Sequence, residues 1–123
     1  LPNWFKVIGV TTSPSTTSGS FVPLADMHGV IKTNGNPIKI TFYGNLQNSV
    51  DTATIIGIFV DGILISPANR TRDVAARPES LSIGTIVPVS PGVHFIQIKF
   101  ATGGGGTSSQ PGLERILMAE EIK

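Results

Sequence analysis

The chain has 123 residues, enough for one domain around a single core and too few to need a second. Nine Lys and Arg against eight Asp and Glu leave a net charge of +1, without the positive field on which a phosphate-backbone partner rests, so no nucleic-acid binding is expected. With 40% hydrophobic and 14% charged residues the composition is that of a folded protein, and the absence of cysteine excludes disulfides and thiolate metal sites.

No apolar run reaches the ~18 residues of a membrane-spanning helix, and the N-terminus lacks the basic segment and apolar core of a signal peptide, so no membrane insertion is expected. The chain begins at Leu1 rather than Met and reads as a fragment or processed product of a longer chain.

The first predicted strand is residues 4–10, WFKVIGV. A large aromatic on a strand is more often buried than exposed, so Trp4 is read as core first and, with Phe5 and Tyr43, as a platform for a sugar ring second. The second strand, 27–33, follows Asp26. Asp26 and His28 stand two residues apart and so share a strand face, but two ligands are too few for a metal site and none is expected. Segment 38–43, IKITFY, alternates cleanly: Ile38, Ile40 and Phe42 on one face, Lys39, Thr41 and Tyr43 on the other. A turn-forming cluster, 45–49, comes next.

Residues 54–65, TIIGIFVDGILI, are apolar on both faces and broken by Asp61-Gly62, a pair that accepts the positive φ angles of a tight hairpin turn. Two strands joined there are expected, needing cover from an opposite sheet and from a neighbouring subunit. Arg70, Arg72 and Arg77 then form the densest basic stretch. Its default reading is a solvated loop, and its functional reading is contact with an acidic sugar or a partner subunit. Strands at 79–89 and 93–100 follow, the latter with Ile96, Ile98 and Phe100 on one side.

The run ATGGGGTSSQPG contains Gly103, Gly104, Gly105 and Gly106. A phosphate-binding loop needs Lys-Ser/Thr and a following helix, and neither is present, so no nucleotide cofactor is expected. The run reads as a flexible connection between the last two strands, or as a mobile recognition tip. The final segment, 114–122, is rich in helix-favouring Leu, Met, Ala and Glu. It is read as a strand because an antiparallel return buries Ile116 and Met118.

Chemistry is sparse. Asp26, Asp51 and Asp73 are scattered through predicted loops, and the adjacent Glu120 and Glu121 point to opposite faces. A Ser-His-Asp triad is defined by geometry rather than order, yet no G-x-S-x-G elbow exists and only His28 and His94 are available, so no enzymatic activity is expected. Seven or eight short strands separated by turn clusters predict an antiparallel β-sandwich, most simply a jelly roll of about eight strands.

Phe59-Val60-Asp61-Gly62, then Ser90-Pro91-Gly92-Val93-His94 before a strand, then a Gly-rich loop and a last strand resemble short β-sandwich domains of bacteriophage tail fibres and other virion surface proteins. That resemblance implies a jelly-roll knob of C1q- or TNF-like form, assembled as a homotrimer on a virion surface, with loops at one end meeting a host-surface glycan or protein. It carries no catalytic motif, cofactor or metal. The candidate ligand residues are Arg70, Arg72, Arg77, residues 103–106, Trp4 and Tyr43. Two other roles compete: a capsid-decoration protein that binds other virion proteins, and a carbohydrate-binding module of a larger enzyme.

Overall fold

The computed structural model describes residues 1–65, 69–72 (backbone only), 75, 77–112 and 114–123. Among them are eight principal strands: β1 (Trp4–Ile8), β3 (Val22–Thr33), β4 (Ile38–Asn48), β5 (Ala53–Val60), β7 (Asn69–Arg72), β8 (Glu79–Val87), β9 (Gly92–Thr102) and β11 (Arg115–Glu121). Three two-residue strands complete the set: β2 (Ser15–Thr16), β6 (Ile63–Leu64) and β10 (Ser108–Ser109). The expected count of about eight is therefore met by the long elements.

They form two antiparallel sheets. One has the order β1-β11-β4-β8, with β10 and β2 extending it beside the far end of β4. The other has the order β3-β9-β5, with β6 and β7 both on the free side of β5. The long strands β3, β4, β5, β8, β9 and β11 alternate between the sheets along the chain, the interleaving of a jelly roll.

Alternation decides what fills the space between the sheets. Ile40 and Phe42 of β4 and Leu117 of β11 point inward from one sheet, and Ile31, Ile58 and Ile98 from the other, all buried. Each contributes about 1.5–3 kcal/mol by leaving water. The final segment is a strand, as read, but in the opposite phase: Leu117, Ala119 and Glu121 point inward and override its helical composition, while Ile116 is half-buried and Met118 exposed on the outward side rather than buried as expected.

Four further sequence expectations need correction. Residues 45–48 are not a turn. Leu46 and Asn48 keep the inward phase of β4, and the strand runs to Asn48 before turning. Residues 69–72 are not loop but β7, paired with β5 from Ile56↔Asn69 to Ala53↔Arg72. Asp26 lies inside β3 rather than in a loop, at φ 70°, where the pairing with β9 shifts register between Pro23 and His28.

The fourth concerns Trp4, which is 58% exposed and not core. Its neighbour Phe5 takes that place, packed so closely that a Cβ on Gly29 of β3 would stand 2.5 Å from the Phe5 ring. Lys6 was the available signal: it shares a strand face with Trp4, and a free lysine belongs in water.

Candidate functional site

The outward side of the β1-β11-β4-β8 sheet is an apolar face. Register lays it out in rows: Trp4 beside Glu120, Lys39 and Ile86; Lys6 beside Met118, Thr41 and Gly84; Ile8 beside Ile116, Tyr43 and Ser82. Ile86 is 60% exposed, Ile8 56%, Met118 44% and Tyr43 41%, so four large side chains besides Trp4 are displayed on one surface. A shallow groove of about 220 Å³ runs between Trp4, Lys6, Lys39, Met118 and Glu120. Trp4 and Tyr43 thus share this face but sit two rows apart.

The remaining predicted site residues gather elsewhere, at the end of the sandwich where β5 begins. The Gly103 N–H donates to Ala53 O at 2.7 Å, and Arg72 pairs with the same Ala53 from the other side of β5. Arg77 is exposed and precedes Glu79, which pairs with Leu46 near the same end of β4. Asp51 accepts the Ala75 N–H at 2.7 Å, tying the β4–β5 loop to this segment. Arg70 pairs with Ile55, two residues further along β5. The structure therefore divides the predicted set between a sheet face and a loop end.

The glycine run is built rather than slack. Gly105 and Gly106 adopt φ 61° and 74°, and a Cβ on Gly106 would stand 2.6 Å from Val50 Cγ2 and 2.7 Å from Asn48 Oδ1. Beneath the loop lies a buried polar cluster that sequence reading missed. Asn48 Nδ2 donates to Thr102 Oγ1 at 2.9 Å and to Ser108 Oγ at 2.8 Å, and Ser108 Oγ is 3.0 Å from Thr54 Oγ1. Thr102 Oγ1 in turn donates to Gly105 O at 3.2 Å. Satisfied networks of this kind fix a loop's path.

The carboxylates are engaged in structure. Burial disfavours charge on Asp26, but the N–H groups of Thr11 and Val10, the Thr11 hydroxyl and Arg115 outweigh it and hold the carboxyl below its ordinary range. Glu121 is likewise penalised by burial and held low by the Asn34 and Asn36 N–H groups, at 2.7 and 3.1 Å. Glu114 pairs with the Asn45 amide.

An Asp-His pair does exist: His94 Nδ1 lies 2.7 Å from Asp61 Oδ2. However, His94 Nε2 faces the main-chain oxygen of Ser90, also at 2.7 Å, where a triad would present a hydroxyl. Asp26 and His28 are not brought together as ligands. Asp26 is committed to Arg115, and His28 stands exposed beside the Phe95 ring, 6.0 Å between centroids. No cluster of three metal-ligating side chains occurs among the described residues.

No protein-family model matches the chain, and no curated protein matches its sequence. The tail-fibre resemblance therefore rests on its motifs alone. Solved structures do match. Eiger TNF from S. frugiperda is similar with a TM-score of 0.62 and 9% identity, over 98% of this chain and 92% of that one. The infectious bursal virus derived T=1 particle gives 0.60 and 12% over 98% of this chain, which spans only 32% of the particle's chain. The CBM36-1 domain of a multidomain xylanase from the hindgut metagenome of Trinervitermes trinervoides gives 0.56 and 11%, over 98% and 99%. At these identities the likeness is one of fold, and the fold is a jelly-roll β-sandwich.

Proposed function

We propose that this chain is a non-enzymatic virion-surface domain that associates into a homotrimer through the outward face of the β1-β11-β4-β8 sheet and offers its loop end to a host-surface glycan or protein. The observation that carries the reading is the face itself: Trp4, Ile8, Tyr43, Ile86 and Met118 are displayed together on one sheet. Contiguous apolar surface of this kind marks association sites in soluble proteins. Lys6, Lys39 and Glu120 supply both signs of charge on the same face, so one copy complements the next. A closed ring of copies leaves no such face in water.

The loop end supplies the binding surface. Residues 103–106 and Arg72 flank Ala53 there, and Arg77 is exposed nearby. The exposed cationic Arg77 near a glycine loop suits an acidic sugar, and three copies presented together gain strength through avidity. The fold shared with the bursal virus particle is consistent with a virion setting.

Light scattering coupled to gel filtration tests the assembly. A mass of three chains is expected, and a monomer at about micromolar concentration overturns it. A second reading is favoured by one observation: the exposed indole of Trp4 is bordered by Lys6, Lys39 and Glu120, the arrangement of a sugar platform in a carbohydrate-binding module. Trp4 is the sole tryptophan, so its fluorescence reports on this face directly. A monomer whose emission responds to oligosaccharide supports the module, while binding to purified capsids without host-cell binding supports the decoration role.

A further inference from the structure

His94 is held at both ring nitrogens, and neither partner has a proton to give. Nδ1 faces the Asp61 carboxylate and Nε2 the Ser90 carbonyl, each at 2.7 Å, while the residue is 8% exposed. A neutral imidazole carries one N–H and satisfies one acceptor. An imidazolium satisfies both. The geometry therefore calls for the charged ring.

Asp61 is the first residue of the β5–β6 turn, at φ 52°, followed by Gly62 at φ 83°. Its Oδ1 accepts the Phe95 N–H at 2.8 Å, and its own N–H donates to Phe95 O at 2.8 Å. Ser90 O also accepts the Thr33 hydroxyl at 3.1 Å. One ring thus ties the β5–β6 turn, the β8–β9 turn and the end of β3. Beyond the turn, Leu64 pairs with Phe59 and lies over Gly57, where a Cβ would stand 2.8 Å from Leu64 Cδ1. Phe59 is buried beneath it and meets Phe21 edge-on at 5.2 Å.

We propose that His94 is a proton-controlled clamp on the β8–β9 turn: the charged ring joins the Asp61 carboxylate to the Ser90 carbonyl, and loss of its proton frees that turn and the Thr33 end of β3 that it holds. Deprotonation leaves one N–H, which stays on the stronger acceptor, the Asp61 carboxylate, and sets the bare Nε2 lone pair against Ser90 O at 2.7 Å, so the Ser90 tie is released while the main-chain bonds of the β5–β6 hairpin are untouched.

The surrounding charges leave the pair to itself. Lys32 and His28 of β3 lie on the exposed side of the sheet, Lys99 of β9 stands 4.6 Å over the Phe59 ring, and Glu121 of β11 is engaged by the Asn34 and Asn36 amides. The hydrogen bond to Asp61, and then that to Ser90, raise His94 above its ordinary 6.5 against the opposing effect of burial. Burial works against the Asp61 charge, and the bonds from His94 and the Phe95 N–H overcome it, leaving that carboxyl low. The clamp is thus complete below the ordinary histidine value and opens as pH rises through the raised one. It also opens on acidification through the depressed Asp61 value.

The test is a pH series on the intact chain from about pH 5 to about pH 9, spanning the range in which histidines titrate. It follows the ring nitrogens by NMR and amide exchange over residues 89–95 and 33–35, corrected for intrinsic rates. The expected result is an imidazolium that persists above the ordinary histidine value of 6.5, with corrected exchange in the β8–β9 turn rising about tenfold as it deprotonates. His94→Gln should make the exchange profile flat across this range. If that variant fails to fold, Asp61→Asn gives the same reading, and the wild-type series needs no variant. A ring that titrates at or below that ordinary value, or β8–β9 turn exchange unchanged across the titration, overturns the clamp.

Discussion

Arg115 Nη2 donates to Asp26 Oδ2 at 2.8 Å, from a guanidinium fully buried to a carboxylate about a quarter exposed. The same guanidinium reaches Ala25 O from Nε at 3.1 Å, Gly112 O from Nη1 at 3.3 Å and Thr11 O from Nη2 at 2.7 Å. It therefore joins the segment after β1, the irregularity in β3 and the start of β11. Arg115→Met removes the charge that Asp26 faces and takes a donor from three carbonyls, of which Gly112 O keeps the Ser13 N–H. It should cost about 3 kcal/mol, the lower end for a buried pair because Asp26 keeps some water. Chemical denaturation measures this, and a loss below about 1 kcal/mol contradicts it.

Acid should destabilise the fold through identifiable groups. Asp26 and Asp61, ordinarily near 3.8, and Glu121, ordinarily near 4.5, are all held low in the folded chain. Their stabilisation is complete above the ordinary values and is lost as pH falls through the depressed ones. Denaturation midpoints should therefore fall on acidification, and Asp26→Asn or Glu121→Gln should each flatten that dependence. An unchanged slope in the variants assigns the acid sensitivity elsewhere.

The four glycines should not be equivalent. Gly106→Ala forces a Cβ into φ 74° and against Val50 and Asn48, at a cost of about 1–2 kcal/mol. Gly104 meets only Thr52 Oγ1, at 3.7 Å, so Gly104→Ala should be neutral or stabilising by up to about 1 kcal/mol. Paired melting curves separate the two. Equal effects would return the loop to the status of slack.

These contrasts mark how far sequence alone reaches. The alternation of IKITFY and the Asp61-Gly62 pair announce two strands and a hairpin because apolar phase and positive φ are local properties. Asn48 and residues 69–72 announce nothing. A buried asparagine is recognisable only once Thr102 and Ser108 stand beside it, and a basic tetrapeptide is a strand only because β5 offers it an edge. Arg115 is the hardest case, a charge on the inward phase that only its tertiary partners make tolerable. Of the site residues, the common location of Arg72 and residues 103–106 was illegible because it depends on pairing across β5.

Association through the sheet face predicts a clean separation of effects. Met118→Lys and Trp4→Ser should shift the scattering mass to one chain, while leaving the stability of the separated chain within about 0.5 kcal/mol. Trp4 emission should move to longer wavelength on dilution of the wild type. Variants that keep the wild-type mass would remove this face from the assembly.

At the loop end, Arg77→Ala should weaken host-cell binding and leave melting unchanged within about 0.5 kcal/mol. A trimeric array magnifies a small loss per site. Full binding by Arg77→Ala, Arg70→Ala and Arg72→Ala together would take the recognition role away from this end.

The pairing of β1 with β11, from Trp4↔Glu120 to Ile8↔Ile116, has a kinetic meaning. β1 finds its partner only in β11, with every other strand lying between them in sequence, so the sheet cannot be completed during synthesis until β11 emerges. Folding should accordingly be slow for the chain's size, in the millisecond-to-second range of nonlocal β topologies. Until it closes, β11 presents one edge bare, and that interval is when misassembly between copies competes with correct docking.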